Sequence, residues 1–121
     1  MDSKENLMSI KPLFTATATS IGGRNGHSEA QDHSVAVDLS VPKAMGGPGK
    51  PGTTTPEHLF AAGYAACFIG AMKFVASQGG PKVPADTSVT STVGIGPRSE
   101  GGFGLEVELA ISLVKAGILY R

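Results

Sequence analysis

Cys67 is the single cysteine of the 121-residue chain and the residue best suited to nucleophilic chemistry. It lies in the middle of an apolar segment, where a lone cysteine is most often a small core residue. Gly63 and Gly70 would flank it on the same face of a helix. A glycine inside a helix costs about 1 kcal/mol relative to alanine. We therefore expect a substrate or a partner helix to approach this thiol closely, although a packing explanation stays open.

A reactive Cys67 needs a nearby positive charge, because a cysteine attacks as its thiolate. The helix macrodipole acts only within the terminal turn, and Cys67 would lie about three turns from either end. Arg24, in the glycine-rich turn after Ile21, is the best candidate because its guanidinium is always charged. Arg98 lies in a similar loop and is a weaker candidate. On sequence alone, an exposed turn residue is the simpler interpretation of Arg24.

Glu57 could orient Arg24 through a bidentate ion pair. A carboxylate is equally expected at this position, because it favours the positive end of a helix. Ten residues separate Glu57 from Cys67, which is about 15 Å along a straight helix. The two cannot meet within one unbroken helix. A shared site requires a break near Gly63, another part of the chain, or a second subunit.

The histidines do not suggest other chemistry. His27, His33 and His58 show no metal-ligand spacing with Cys67. His58 would lie on the same helix, nine residues before Cys67, too far away to act as its general base in a Cys-His hydrolase. We expect neither a metal nor another cofactor.

Composition favours a cytoplasmic, single-domain protein. Ten basic and ten acidic residues cancel, which leaves no electrostatic case for nucleic acid or an anionic membrane. The first residues lack the basic and apolar regions of a signal peptide. The uncharged stretch from Leu59 to Met72 is shorter than the roughly 20 residues that a membrane-spanning helix needs. One cysteine cannot form an internal disulfide.

Five strands are predicted around one helix. Alternating side chains indicate strands over 13–20 and 35–39, with a shorter strand near Ser28. Two later strands are marked by Val89 to Ile95 and by Leu105 to Leu113, with a hairpin loop between them. The order of strands, helix and strands predicts an α+β fold. The last residues, VKAGILYR, give no clear pattern.

The helix is the strongest predicted element. Residues 42–55 form a Gly/Pro-rich loop, Thr55 is a plausible N-cap, and Pro56 suits the first helical position. Apolar residues then fall on every face up to the exit at Gly79. Such a helix is buried, and in so small a chain one sheet covers only one side of it. We therefore expect a homodimer whose second copy covers the other side.

Several segments together resemble the organic hydroperoxide resistance (Ohr) proteins of the OsmC superfamily. The segments are TATAT, GGRNG, MGGPG, TTPEHLFAAGYAACFIGAMKFVA, VGIGP and FGLEVELAISL. They extend from about Phe14 to Leu113, most of the chain. The resemblance implies one OsmC-like domain over 1–121, with a long buried central helix in an intertwined homodimer.

The resemblance also implies a function in oxidative stress defence. It identifies a thiol-dependent peroxidase that reduces organic hydroperoxides to alcohols. Cys67 matches the redox-active peroxidatic cysteine, Arg24 the residue that activates it, and Glu57 the residue that holds Arg24. A thiol reductant, such as a lipoylated protein, is the implied partner that restores the enzyme. Whether Arg24 and Glu57 act on the Cys67 of their own chain or across the dimer stays open.

The apolar side chains of the helix supply candidates for substrate binding. They would select organic hydroperoxides over hydrogen peroxide, and the candidates are Phe60, Phe68 and Met72.

The end of the chain departs from the family pattern. The family continues into a helix with a second, resolving cysteine and then a final strand, whereas this sequence ends in VKAGILYR. We expect a C-terminally truncated member whose turnover lacks a resolving thiol. The alternative is a non-catalytic remnant that acts as a dimerising or apolar-ligand-binding domain.

Overall fold

The computed structural model describes residues 10–113 and 118–120. It has one long helix and two three-stranded antiparallel sheets, which are formed by the first three and the last three strands, each sheet in chain order. The start of the chain, which bears on the expectation of no signal peptide, lies outside the described residues. The element bounds are β1 Ala18–Ile21, β2 His27–Ala30, β3 Ala36–Asp38, α1 Pro56–Ser77, β4 Ser88–Pro97, β5 Phe103–Leu113 and β6 Ile118–Tyr120.

The first sheet is shorter than the sequence pattern predicts. The strand expected over 13–20 begins only at Ala18, because its partner β2 has four residues and the register runs from Ala18 opposite Ala30 to Ile21 opposite His27. The strand expected over 35–39 is likewise reduced to β3, and Leu39 makes an isolated parallel bridge with Thr54. The short strand near Ser28 is confirmed.

The predicted glycine turn between β1 and β2 is present. Gly22 and Gly23 have φ values of 84° and 65°, the left-handed region that favours glycine. A Cβ at Gly26 would lie 1.8 Å from the carbonyl oxygen of Ile21, so no larger residue fits there. The backbone N–H of Val41 donates to Oδ1 of Asn25 at 2.9 Å, which ties the turn to the chain that follows β3.

The predicted start of α1 is confirmed. The Oγ1 atom of Thr55 accepts a hydrogen bond from the backbone N–H of His58 at 3.1 Å, and Pro56 occupies the first helical position. The preceding loop contains one short 3₁₀ turn, Lys43–Met45, and returns to β3 through a hydrogen bond from Thr54 N to Asp38 O at 2.9 Å. The helix therefore begins beside the first sheet.

Helix α1 is not buried within one chain, as expected for a helix that one sheet covers on only one side. None of its residues is buried. The partly covered positions recur at helical spacing and form the face that packs mainly against β4. After the first turn, these positions are Ala61, Ala65, Phe68, Ile69, Met72 and Ala76.

A continuous stripe on the opposite side of α1 is exposed, and we call it the open face. It consists of Phe60, Gly63, Tyr64, Cys67, Gly70, Ala71 and Phe74. By length and composition alone, α1 is long and apolar enough to cross a membrane, because the full helix exceeds the stretch from Leu59 to Met72. A helix of a globular protein that packs against other elements on both sides has the same length and apolar composition.

The second sheet contains the two predicted later strands. Val93 lies opposite Val107 and Ile95 opposite Leu105, so apolar side chains share one face of the β4–β5 pair. The predicted hairpin loop closes with a hydrogen bond from Arg98 N to Gly102 O at 2.8 Å. Strand β6, which the sequence pattern did not indicate, pairs with the end of β5.

His27 links the strands of the first sheet through two carboxylates. Its Nδ1 lies 2.8 Å from Asp38 Oδ1, on the opposite strand, and its Nε2 lies 2.9 Å from Glu29 Oε1. The second oxygen of Glu29 is hydrogen-bonded to His33. Hydrogen bonds to Asp38 and Glu29 raise the pKa of His27, and hydrogen bonds from His27 and His33 lower the pKa of Glu29. Only the imidazolium form has an N–H for each carboxylate.

This arrangement predicts a pH-dependent contribution of His27 to stability. The contribution is complete below its unfolded pKa of about 6.5 and is lost as pH rises through the raised folded value. We expect the melting-temperature difference between wild type and His27→Gln to be largest near pH 6 and to shrink at about pH 9. A difference that stays constant between these pH values would contradict a charged His27.

Candidate active site

Arg24 and Glu57 form a bidentate ion pair. Nη1 of Arg24 donates to Oε1 of Glu57 at 2.9 Å, and Nη2 donates to Oε2 at 2.6 Å. The Glu57 side chain is 15% exposed and that of Arg24 35%, so water screens this pair less than a fully exposed one. The hydrogen bond from Arg24 lowers the pKa of Glu57, and the bond to Glu57 raises the pKa of Arg24. Both groups are therefore charged at neutral pH.

The pair joins two segments that are far apart in sequence. Arg24 lies in the 3₁₀ turn Gly23–Asn25, and Glu57 lies in the first turn of α1. The turn is fixed by its glycines and by the hydrogen bond from Val41 to Asn25. A guanidinium has five N–H donors, and the carboxylate uses two of them. The remaining donors are available to a ligand that is negatively charged or becomes so.

Cys67 is a free, exposed thiol at the middle of the open face. Because α1 runs unbroken from Pro56 to Ser77, the possible break near Gly63 does not occur. The helix places Cys67 about 15 Å beyond Glu57 along its axis. A charge must lie within about 4–6 Å to favour the thiolate strongly. One chain thus brings Arg24 and Glu57 together but keeps Cys67 away from them.

The three candidate substrate contacts do not form one surface. Phe68 and Met72 line an apolar groove of about 400 Å³ with Pro81 and Val83. Phe60 instead stacks on Tyr64, with ring centroids 5.5 Å apart and ring planes 10° apart. This separation follows from helical geometry, because eight residues from Phe60 to Phe68 correspond to a rotation of about 80°.

The sequence analysis did not identify Tyr64 as a neighbour of the candidate thiol. It lies three residues before Cys67 and four after Phe60, the spacings at which side chains share a helix face. This spacing could have identified Tyr64 from the sequence.

No metal site accompanies the thiol in the described part of the chain. Within residues 10–113 and 118–120, no group of three or more His, Cys, Asp or Glu side chains is arranged to hold a metal ion. The chemistry that these residues offer is that of a thiol and a held guanidinium.

Known proteins with related sequences share most of this chain. An organic hydroperoxide resistance protein of Xanthomonas axonopodis pv. citri (strain 306) is 53% identical over 103 residues, which are 85% of this chain and 71% of that protein. Organic hydroperoxide resistance protein OhrA of Bacillus subtilis (strain 168) is 37% identical over 102 residues, which are 84% of this chain and 71% of that protein. The chain matches no protein-family model.

A solved structure has the same fold. The crystal structure of an organic hydroperoxide resistance protein from Elizabethkingia anophelis superimposes with a TM-score of 0.74 at 44% identity, and the match covers 85% of this chain and 72% of that one. Sequence and fold therefore agree, and the chain belongs to the organic hydroperoxide resistance proteins of the OsmC superfamily.

Proposed function

We propose that this chain is a cysteine-based peroxidase that reduces organic hydroperoxides to alcohols in oxidative stress defence. The observation that carries the proposal is the bidentate Arg24–Glu57 pair, a held guanidinium with open donors in a chain whose thiol is exposed. The names of its relatives, organic hydroperoxide resistance proteins, support the same substrate class.

The reaction is a nucleophilic displacement on oxygen. The Cys67 thiolate attacks the distal peroxide oxygen, an S–O bond forms, and the O–O bond breaks. The leaving alkoxide takes a proton and departs as the alcohol, while the sulfur is oxidised to a sulfenic acid. Arg24 stabilises the thiolate and the negative charge that develops on the leaving oxygen. Glu57 fixes the direction of the guanidinium and is a positioning residue.

The site is completed across a homodimer. This assembly supplies what one chain lacks, because the open face is apolar and Cys67 lies about 15 Å from the pair along α1. If two copies of α1 pack antiparallel around a two-fold axis, Cys67 of one copy lies level with Glu57 of the other when the axis passes midway between these positions, at the level of Ala62 and next to Gly63. A Cβ at Gly63 would meet no atom within 4 Å in one chain, so its surface is free for a close helix contact.

The remaining features of the proposal follow from the family. The whole chain acts as one OsmC-like domain, in the cytoplasm. A thiol reductant, such as a lipoylated protein, returns the sulfenic acid to the thiol. Phe60 and Tyr64 lie on the face of Cys67 and are the aromatic residues placed to contact an organic substrate there.

The role of Arg24 predicts a large kinetic effect. We expect Arg24→Ala to slow oxidation of Cys67 by cumene hydroperoxide by about 10²-fold, since one preorganised donor at a developing charge contributes about that much. Stopped-flow oxidation and iodoacetamide alkylation across pH would measure the effect. Arg98→Ala is the matched control, because Arg98 is an exposed loop arginine whose side chain forms an ion pair with Glu100 at 3.4 Å and with no other carboxylate among the described residues. If Arg24→Ala reacts at the rate and with the pH profile of wild type, Arg24 is not the activator.

When the 121 residues are expressed by themselves, Cys67 is the single thiol, and this predicts an intermediate that peroxide can oxidise further. Without a second cysteine in the same polypeptide, the sulfenic acid waits for an external thiol, and excess peroxide converts it to sulfinic acid, which ordinary thiols do not reduce. We expect rapid first-turnover oxidation, weak sustained turnover, and a mass gain of two oxygens on Cys67 under excess peroxide. Intact mass spectrometry after graded peroxide, with and without a dithiol, checks this. Sustained turnover without that mass gain would be the opposite result.

A further inference from the structure

Ser40 is one of three buried residues in the described part of the chain. The others are Leu39 and Thr55, and all three lie where the segment after β3 meets the start of α1. Backbone hydrogen bonds join the two, from Thr54 N to Asp38 O at 2.9 Å and from Ser40 N to Thr54 O at 3.2 Å. The enclosed part of the described chain is therefore the junction between the first sheet and the helix.

The Ser40 hydroxyl belongs to a closed ring of three hydrogen bonds with the end of the Gly/Pro loop, which we call the Ser40 ring. The backbone N–H of Lys50 donates to Ser40 Oγ at 3.0 Å, and Thr53 Oγ1 donates to the carbonyl oxygen of Lys50 at 2.6 Å. Ser40 Oγ and Thr53 Oγ1 lie 2.6 Å apart. A hydroxyl has one hydrogen to donate. Because Thr53 gives its hydrogen to Lys50, the Ser40 hydroxyl is the donor to Thr53.

The Ser40 ring lies between the two partners of the ion pair. On one side, the residue after Ser40 donates its backbone N–H to the side chain of Asn25, which is next to Arg24. On the other side, Thr53 lies four residues before Glu57, just ahead of the helix cap. The bond from Ser40 to Thr53 thus ties the segment behind Arg24 to the segment that leads into Glu57. Because Ser40 is only 3% exposed, water does not replace a partner that its hydroxyl loses.

We propose that Ser40 and Thr53 are positioning residues of the active site, and that their hydrogen bond holds Arg24 and Glu57 in the bidentate geometry. They act through the ion pair and do not touch the substrate. A small displacement matters, because a misplacement of about 1 Å that arises far from the reacting atoms can slow a reaction by about 10²-fold. The kinetic part of this inference rests on the proposed peroxidase function, whereas the effect on the ion pair does not.

Two variants of the half-buried Thr53 test the ring without changing a fully buried position. Thr53→Val keeps the branched shape and removes the hydroxyl, whereas Thr53→Ser keeps the hydroxyl. The first measurement is the NMR titration of the Glu57 carboxylate in the Cys67→Ser background. The bond from Arg24 lowers the pKa of Glu57, so a looser pair should raise it. We expect Thr53→Val to lower the acid dissociation constant of Glu57 about fivefold, the worth of one ordinary hydrogen bond, and Thr53→Ser to restore it. An unchanged titration in Thr53→Val would overturn the proposal.

The second measurement is the rate of Cys67 oxidation by cumene hydroperoxide. We expect Thr53→Val to slow it about fivefold and to move the pH profile of iodoacetamide alkylation in the same direction as Arg24→Ala does, and Thr53→Ser to restore both. Thr54→Val is the matched control, because Thr54 binds its neighbours here through its backbone and is not a member of the ring. A lower melting temperature of Thr53→Val with an unchanged pH profile would show a merely structural role and overturn the proposal. Absence of peroxidase activity in wild type, together with the expected change at Glu57, would reject the peroxidase function alone.

Discussion

The ion pair between Arg24 and Glu57 fixes the relation between the first sheet and the central helix, and the rest of the proposed chemistry depends on it. It connects a glycine turn to the first turn of α1, across 33 positions of sequence. Thr55 sets where the helix begins, and the hydrogen bond from Val41 to Asn25 fixes the turn. Because the turn and the start of α1 are both fixed, the ion pair orients the guanidinium. The N–H donors that do not bind Glu57 point away from its carboxylate.

The length of α1 determines how far the ion pair lies from Cys67, and therefore whether one chain can form the proposed site alone. A continuous helix keeps Cys67 and the charge pair about 15 Å apart, because each residue advances the helix by about 1.5 Å. The same helix exposes an apolar stripe that includes Cys67, while its other face packs on β4. In the described part of the chain, Leu39 is the only buried apolar residue. The hydrophobic effect and the proposed chemistry therefore both favour the proposed pairing of two copies.

Much of this could be predicted from the sequence, and the exceptions have physical causes. Local signals sufficed for the Thr55 cap, the glycine turn and the β4–β5 hairpin, because they involve neighbours in the chain. The pairing of Glu57 with Arg24 was one of two equal interpretations, since no local pattern shows which turn approaches a helix start. The length of β1 is set by its pairing with β2, and β6 forms by pairing with the end of β5, so neither could be read from a local pattern. Phe60 and Phe68 point to different surroundings, which the sequence analysis did not separate because apolar character alone does not assign a side chain to a helix face.

The central claim is that Cys67 of one copy reacts beside Arg24 and Glu57 of the other, and mixed dimers test it most directly. Cys67→Ser and Arg24→Ala chains, carrying different affinity tags, would be co-expressed, and the mixed dimers isolated by sequential purification. Each parent should be inactive or strongly impaired in single-turnover oxidation by cumene hydroperoxide. If the site forms across the dimer, a mixed dimer regains one complete site, because the intact cysteine of one chain meets the intact arginine of the other. A mixed dimer no faster than the Arg24→Ala parent, or a mixture from which no mixed dimer can be isolated, would contradict the claim.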